Sequence, residues 1–258
     1  MKTLISLLLS ALFSNLMAQT DTIVAGVYTW NKADIKNTND GERKKILEGS
    51  SKDLANLEIH TLTLQPGKSA TGSEVKTDLE KLIIVKEGNL TLTINDTSKV
   101  LGPGSFAVII AGDKHGFKNV SANPITYYSL TYTGRAAINI QRGRNAGGSF
   151  YKDWKDLIVK QTDKGESRPI FDRPSSMFSK FDMHATALNP GIASHDPHMH
   201  RAEEIILMIK GDVQVQIAQN FLKATVGDVI FYPAYSLHAV KNTGNVQCGY
   251  FAIQWRNE

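Results

Sequence analysis

The sequence predicts an all-β protein built from two tandem jelly-roll barrels, and three observations predict it. Short runs alternate apolar and polar residues, as in Leu90-Thr91-Leu92-Thr93-Ile94 and Val213-Gln214-Val215-Gln216-Ile217. Gly, Pro, Asn or Asp punctuates these runs at close spacing, the pattern of antiparallel strands that close into a barrel. The same landmarks then recur, in the same order, in the second half of the chain.

In the first copy Leu62-Thr63-Leu64-Gln65-Pro66-Gly67 leads to Lys81–Gly88, then to Leu90–Ile94, Gly104–Ile110, His115 and Asn119. In the second, Ala187-Leu188-Asn189-Pro190-Gly191 leads to Glu204–Gly211, then to Val213–Ile217, Gly227–Pro233, His238 and Asn242. Gly88 with Gly211, Gly104 with Gly227, His115 with His238 and Asn119 with Asn242 share one offset. At Pro66 and Pro190 it is one residue larger, so a single-residue indel lies between. A shared offset over so many landmarks marks a tandem duplication.

Taken in chain order, the first residues read as an address. Met1-Lys2-Thr3 is positive, Leu4 to Phe13 is apolar apart from Ser6 and Ser10, and Ala18 is a small residue suited to cleavage before Gln19. The run is shorter than the roughly 20 apolar residues a spanning helix needs. A signal peptide over 1–18 and a secreted or periplasmic mature chain are expected. Residues 19–135 then form the N-terminal barrel, with 19–55 as a leading arm of a strand or two. Residues 136–176 turn polar and irregular, with Ala146-Gly147-Gly148, Pro169 and Pro174. They read as a bridging segment over the barrels with a short helix around Tyr151 to Ile158. Residues 177–258 form the C-terminal barrel.

Composition narrows the function classes. With 41% hydrophobic residues there is ample material for a core. The 29 Lys and Arg exceed the 25 Asp and Glu only mildly, and the basic clusters Glu42-Arg43-Lys44-Lys45 and Arg142-Gly143-Arg144 carry no interleaved aromatics. Nucleic acid is therefore not an expected partner, and neither is a membrane span. A mild basic balance suits an anionic small molecule. Cys248, the single cysteine, cannot form an internal disulfide and reads as a small buried hydrophobe.

The second copy concentrates metal-binding residue types. His198 and His200 are two apart, so on a strand they share a face. Glu204 keeps that parity, and His238 arrives from a later strand. Three imidazoles and a carboxylate suit one divalent ion, Mn, Fe or Zn, with room for water or substrate. In the first copy the equivalent positions are Val75, Thr77 and Lys81, or Glu74, Lys76 and Glu80, depending on where the indel falls. Either way a lysine stands among the ligand positions, and His115 reads as a packed relic.

These residues resemble the cupin superfamily. Gly191, His198, His200, Glu204 and Gly211 match its first motif with one extra residue after Gly191. Gly227, Pro233, His238 and Asn242 match its second, with Tyr235 where glycine is usual. Within that superfamily the C-terminal barrel resembles the bicupin (S)-ureidoglycine aminohydrolases. The likeness lies in Phe181-Asp182-Met183, Asn189-Pro190-Gly191, Gly227–Phe231 and Ala234–Ala239. That resemblance implies a manganese site in the C-terminal cupin and release of ammonia from a small ureido acid. The chain departs from it at His198 and His238, where that family places glutamate and glutamine, and at Val215, where it places tyrosine.

The expected function is therefore a secreted metal-dependent enzyme acting on a small polar, carboxylate-bearing molecule by hydrolysis or isomerisation. Arg201, Tyr232, Tyr235, Tyr250 and Gln254 are the candidate substrate-pocket residues, with Arg201 as a carboxylate clamp. His195 has the wrong parity relative to His198 and is expected on the opposite face or in a loop. An iron-dependent dioxygenase and a non-catalytic barrel that holds a sugar or metal are the alternatives, and a homodimer through the inert barrel is a further expectation.

Overall fold

The protein is described by a computed structural model covering residues 21–72 and 75–257. The expected signal peptide lies outside these residues. None of the described helices is long and apolar enough to cross a membrane.

The alternating runs form two barrels of antiparallel strands. The C-terminal barrel has a seven-stranded sheet ordered Gly26–Tyr28, Val229–Tyr232, Glu203–Lys210, Cys248–Arg256, Lys180–Leu188, Gly165–Arg173, Lys160–Thr162. Its second sheet is Asn220–Ala224, Val213–Ile217, His238–Asn242. The N-terminal barrel repeats this plan. Its seven strands run Phe150–Lys152, Phe106–Ile109, Glu80–Glu87, Ile125–Gly134, Leu54–Leu64, Gly41–Gly49, Asp34–Thr38. Ser69–Gly72, His115–Lys118, Leu90–Ile94 and Thr97–Leu101 form its smaller sheet.

The two large sheets pack back to back. Leu57, Ile59, Leu82, Ile84 and Leu130 from one meet Phe181, Met183, Ile205, Leu207 and Ile253 from the other in a single buried cluster. The opposite faces fill the two barrel interiors, with Ile83 and Val85 in one and Ile206 and Met208 in the other. Strands buried on both faces cannot afford polar alternation, which explains the unbroken apolar runs Leu82-Ile83-Ile84-Val85 and Ile205-Ile206-Leu207-Met208.

Residues 136–176 correct the sequence expectation, because they are built into both sheets rather than laid over them. Phe150–Lys152 pairs with Phe106–Ile109 of the N-terminal barrel, and Gly165–Arg173 pairs with Lys180–Leu188 of the C-terminal one. The leading arm crosses likewise, since Gly26–Tyr28 pairs with Val229–Tyr232. Each barrel thus borrows an edge strand from the other repeat. The helix expected around Tyr151 is a strand followed by one 3-10 turn, Trp154–Asp156. The α-helix lies earlier, at Ile140–Asn145, capped by the Asn139 side chain accepting from Arg142 N.

Two contacts lock the exchange. Trp154 lies on Gly104 and Trp30 on Gly227, where a Cβ would come within 2.8 and 3.0 Å of the indole. Both glycines also have positive φ, so no other residue fits easily. In each barrel a buried carboxylate also grips the other repeat. Glu203 accepts from Ser51 Oγ (2.7 Å), Lys52 N (3.0 Å), Asp53 N (3.0 Å) and Trp255 Nε1 (3.1 Å). Its counterpart Glu80 accepts from Ser175 Oγ and Ser176 N, each at 2.7 Å.

Candidate metal centre

The C-terminal barrel brings His198, His200 and His238 together, with one nitrogen from each within 4.8 Å of the others. Each arrives by a different route. His238 opens the strand His238–Asn242, and its backbone exchanges hydrogen bonds with His198 at 2.9 and 3.1 Å. His198 and His200 sit on an irregular segment before the strand Glu203–Lys210 rather than on the regular strand that their spacing suggested. Glu204 lies on that strand, opposite Tyr232 on one side and Gln254 on the other.

The carboxylate is the hub. Glu204 Oε2 is 3.3 Å from His200 Nε2 and 3.2 Å from His238 Nε2. Burial alone would raise the Glu204 pKa, but hydrogen bonds from His200 and His238 outweigh it and hold the group at about 2. The same contact raises the pKa of His200. Burial and its three histidine neighbours lower that of His198.

The imidazoles are oriented for ligation. His238 Nδ1 lies 2.8 Å from the Ser236 carbonyl and His200 Nδ1 3.0 Å from that of Ala202. A proton on Nδ1 donating to a carbonyl leaves the Nε2 lone pair free, the arrangement that fixes metal-binding histidines. Both Nε2 atoms are buried against the Glu204 carboxylate; with a proton each donates to it, and without one each presents its lone pair beside it. Such lone pairs beside an ionised carboxylate are the chemistry of a divalent-cation site, so the residues fit such an ion.

A cavity of about 390 Å³ opens beside Glu204, His198 and His238. Tyr250 and Gln254 line it, as expected for pocket residues. The other three candidates do not. Arg201 is committed elsewhere: its guanidinium makes two 2.8 Å bonds to Asp53 and one of 2.7 Å to the Asn257 carbonyl. Tyr235 projects outward beside Lys52. Tyr232 is buried behind the site, its ring stacked on His238 at 4.4 Å, so it braces a ligand position instead of meeting substrate.

The cavity also holds residues that sequence reasoning missed. His184 stands one row beyond Gln254, and its parity with Asp182 and Thr186 could have placed it inside. Lys164 reaches the rim from the turn before Gly165–Arg173 and donates to Ser194 O at 2.7 Å. His195 turns inward despite its parity, because the chain bends there, and its Nδ1 lies 2.9 Å from His198 Nδ1.

The cupin-domain family model matches the chain twice, over residues 60–131 and 185–253. This chain belongs to the cupin family. Its two matched segments fall on the two barrels, so the cupin unit is present in duplicate. No curated protein matches it in sequence.

Solved bicupin structures resemble it in fold. The putative glyoxylate-induced protein of Pseudomonas aeruginosa is 15% identical, with 94% of this cupin and 93% of that chain covered and a TM-score of 0.72. An oxalate decarboxylase of Lactobacillus farciminis, solved as a formate complex, is 14% identical (93% and 88% covered, TM-score 0.69). Protein Ylba of E. coli is 18% identical (89% and 96% covered, TM-score 0.62). At these identities the likeness establishes the fold alone.

Two outcomes follow from this geometry. Arg201→Ala should cost about 2 kcal/mol of stability, since it leaves the buried Asp53 carboxylate without its partner, while metal content stays unchanged. Urea denaturation and metal analysis of one preparation check both. Metal affinity should fall as pH drops through the range where His200 protonates, because a cation must displace that proton. The raised pKa of His200 moves that loss to higher pH than for an ordinary histidine. Calorimetry in buffers of different ionisation enthalpy should show protons released on binding.

Proposed function

We propose that this cupin is a secreted, metal-dependent enzyme that acts on a small carboxylate-bearing molecule by hydrolysis or isomerisation. The observation that carries the reading is the placement of His198, Glu204 and His238 on the wall of a cavity shared with Lys164, His184, Tyr250 and Gln254. His198, His200, Glu204 and His238 would hold one divalent ion. When bound, that ion polarises a carbonyl or acidifies a water molecule.

The chain's own groups supply the rest. Lys164 is the cation on the cavity rim and takes the role sought for Arg201, that of holding a carboxylate. Gln254 offers an amide beside Glu204 to orient a polar substrate. The buried Tyr250 hydroxyl has its pKa raised by desolvation, so it stays protonated and donates. Two structural neighbours, a putative glyoxylate-induced protein and an oxalate decarboxylase, are named for small acids and support this substrate class. The sequence likeness to the ureidoglycine aminohydrolases supports a ureido acid within it. Residues 1–18 support export.

The test is activity screening of metal-restored protein on small oxo, hydroxy and ureido acids. Turnover that is lost in Glu204→Gln, with KM raised at least about ten-fold in Lys164→Ala, is expected for loss of one charged anchor. Tight binding without turnover of any such acid would favour a storage or binding barrel instead.

A further inference from the structure

The N-terminal barrel repeats the metal centre with its charge reversed. Lys81 pairs with Ile109 and Thr131 just as Glu204 pairs with Tyr232 and Gln254. Of the ligand positions that the sequence compared, strand pairing therefore places Lys81 at that of Glu204. A cation stands where the sister barrel has its hub carboxylate.

His115 keeps the posture of His238. It opens the strand His115–Lys118, and its Nδ1 faces the Asp113 carbonyl at 3.3 Å, as His238 Nδ1 faces that of Ser236. A proton on Nδ1 leaves Nε2 as an acceptor. That Nε2 is buried and has no partner, on a residue only 5% exposed. The Lys81 ammonium likewise has no hydrogen-bond or ion-pair partner among the described residues. Its nearest acid, Glu58, is already engaged by Arg43 and His60. The Tyr127 hydroxyl, at the place that Tyr250 takes in the other barrel, is a second buried group without a partner.

A free cationic donor on the large sheet and an unmet lone pair on the small sheet of one barrel call for a ligand with an anionic acceptor and a hydroxyl donor. Phe117 stands at the position of Val240, so the ligand is a small one. We propose that the N-terminal barrel binds a small hydroxycarboxylate, its carboxylate on Lys81 and its hydroxyl donating to His115 Nε2. This site would be independent of the metal centre and of the reaction assigned to it.

Glycolate is the probe, with acetate as the analogue lacking the hydroxyl. Calorimetry on the full chain, with metal removed by chelation and both Lys164→Ala and His198→Ala introduced to silence the other barrel, should show one saturable glycolate site that prefers glycolate to acetate. Lys81→Gln should weaken it at least about ten-fold, the scale for one charge-assisted contact, and Lys81→Arg should restore most of it. His115→Phe should abolish the preference for glycolate while circular dichroism stays unchanged. If Lys81→Gln does not fold, the His115→Phe comparison decides. No saturable glycolate binding, binding unaltered in a folded Lys81→Gln, or an unchanged preference in His115→Phe would overturn the proposal.

Discussion

Glu203→Ala is expected to cost about 3–5 kcal/mol of stability, the range for stripping the partner from a buried hydrogen-bonded charge. The carboxylate is fully buried and satisfies four donors, three of them on the Ser51–Asp53 turn of the other repeat. Truncation leaves those donors facing a void, in the contact that holds the arm to the C-terminal barrel. Domains of ordinary stability hold about 5–15 kcal/mol in all, so the variant should sit near its unfolding midpoint. Glu80→Ala removes the counterpart carboxylate, which accepts two bonds of 2.7 Å from Ser175 and Ser176, and should cost less. Urea denaturation of both variants checks the ranking. Equal, small losses would show that the exchanged segments are held mainly by the tryptophan and sheet contacts.

The second large effect concerns the metal. His238→Ala should lower metal affinity by at least about 100-fold, since loss of even an outer-shell partner costs 10–100-fold and His238 is a direct ligand candidate. The residue is almost fully buried and braced by Tyr232 and the Ser236 carbonyl, so its ring is held in place at the centre. Wild-type protein should therefore gain thermal stability with added metal, following the ratio of free metal to Kd, and the variant should not. Glu204→Gln should behave alike, because it removes the carboxylate that His200 and His238 face. A thermal shift retained by both variants would place the ion elsewhere.

Much of this was legible in the chain itself. Alternating runs and a constant offset between landmarks report strands and duplication directly, because side-chain period and turn chemistry are local properties. The clustering of His198, His200, Glu204 and His238 was legible because ligand spacing is also local or nearly so. The strand exchange was not. Gly26–Tyr28 and Phe150–Lys152 are three-residue edge strands that are only half buried, too short to carry a period. Arg201 was misplaced for a related reason. Its partner Asp53 lies far away in sequence and meets it only because the leading arm crosses to the other barrel. His195 escaped because parity holds along a strand and fails at a bend.

One barrel gathers the candidate metal ligands and the other carries a lysine at the hub position, and metal stoichiometry tests that contrast most directly. Inductively coupled plasma mass spectrometry on the folded full chain should find one divalent ion per wild-type molecule. It should find essentially none in His198→Ala with His238→Ala, and an unchanged content in His115→Ala. Metal retained by the double variant, or lost with His115, would contradict it.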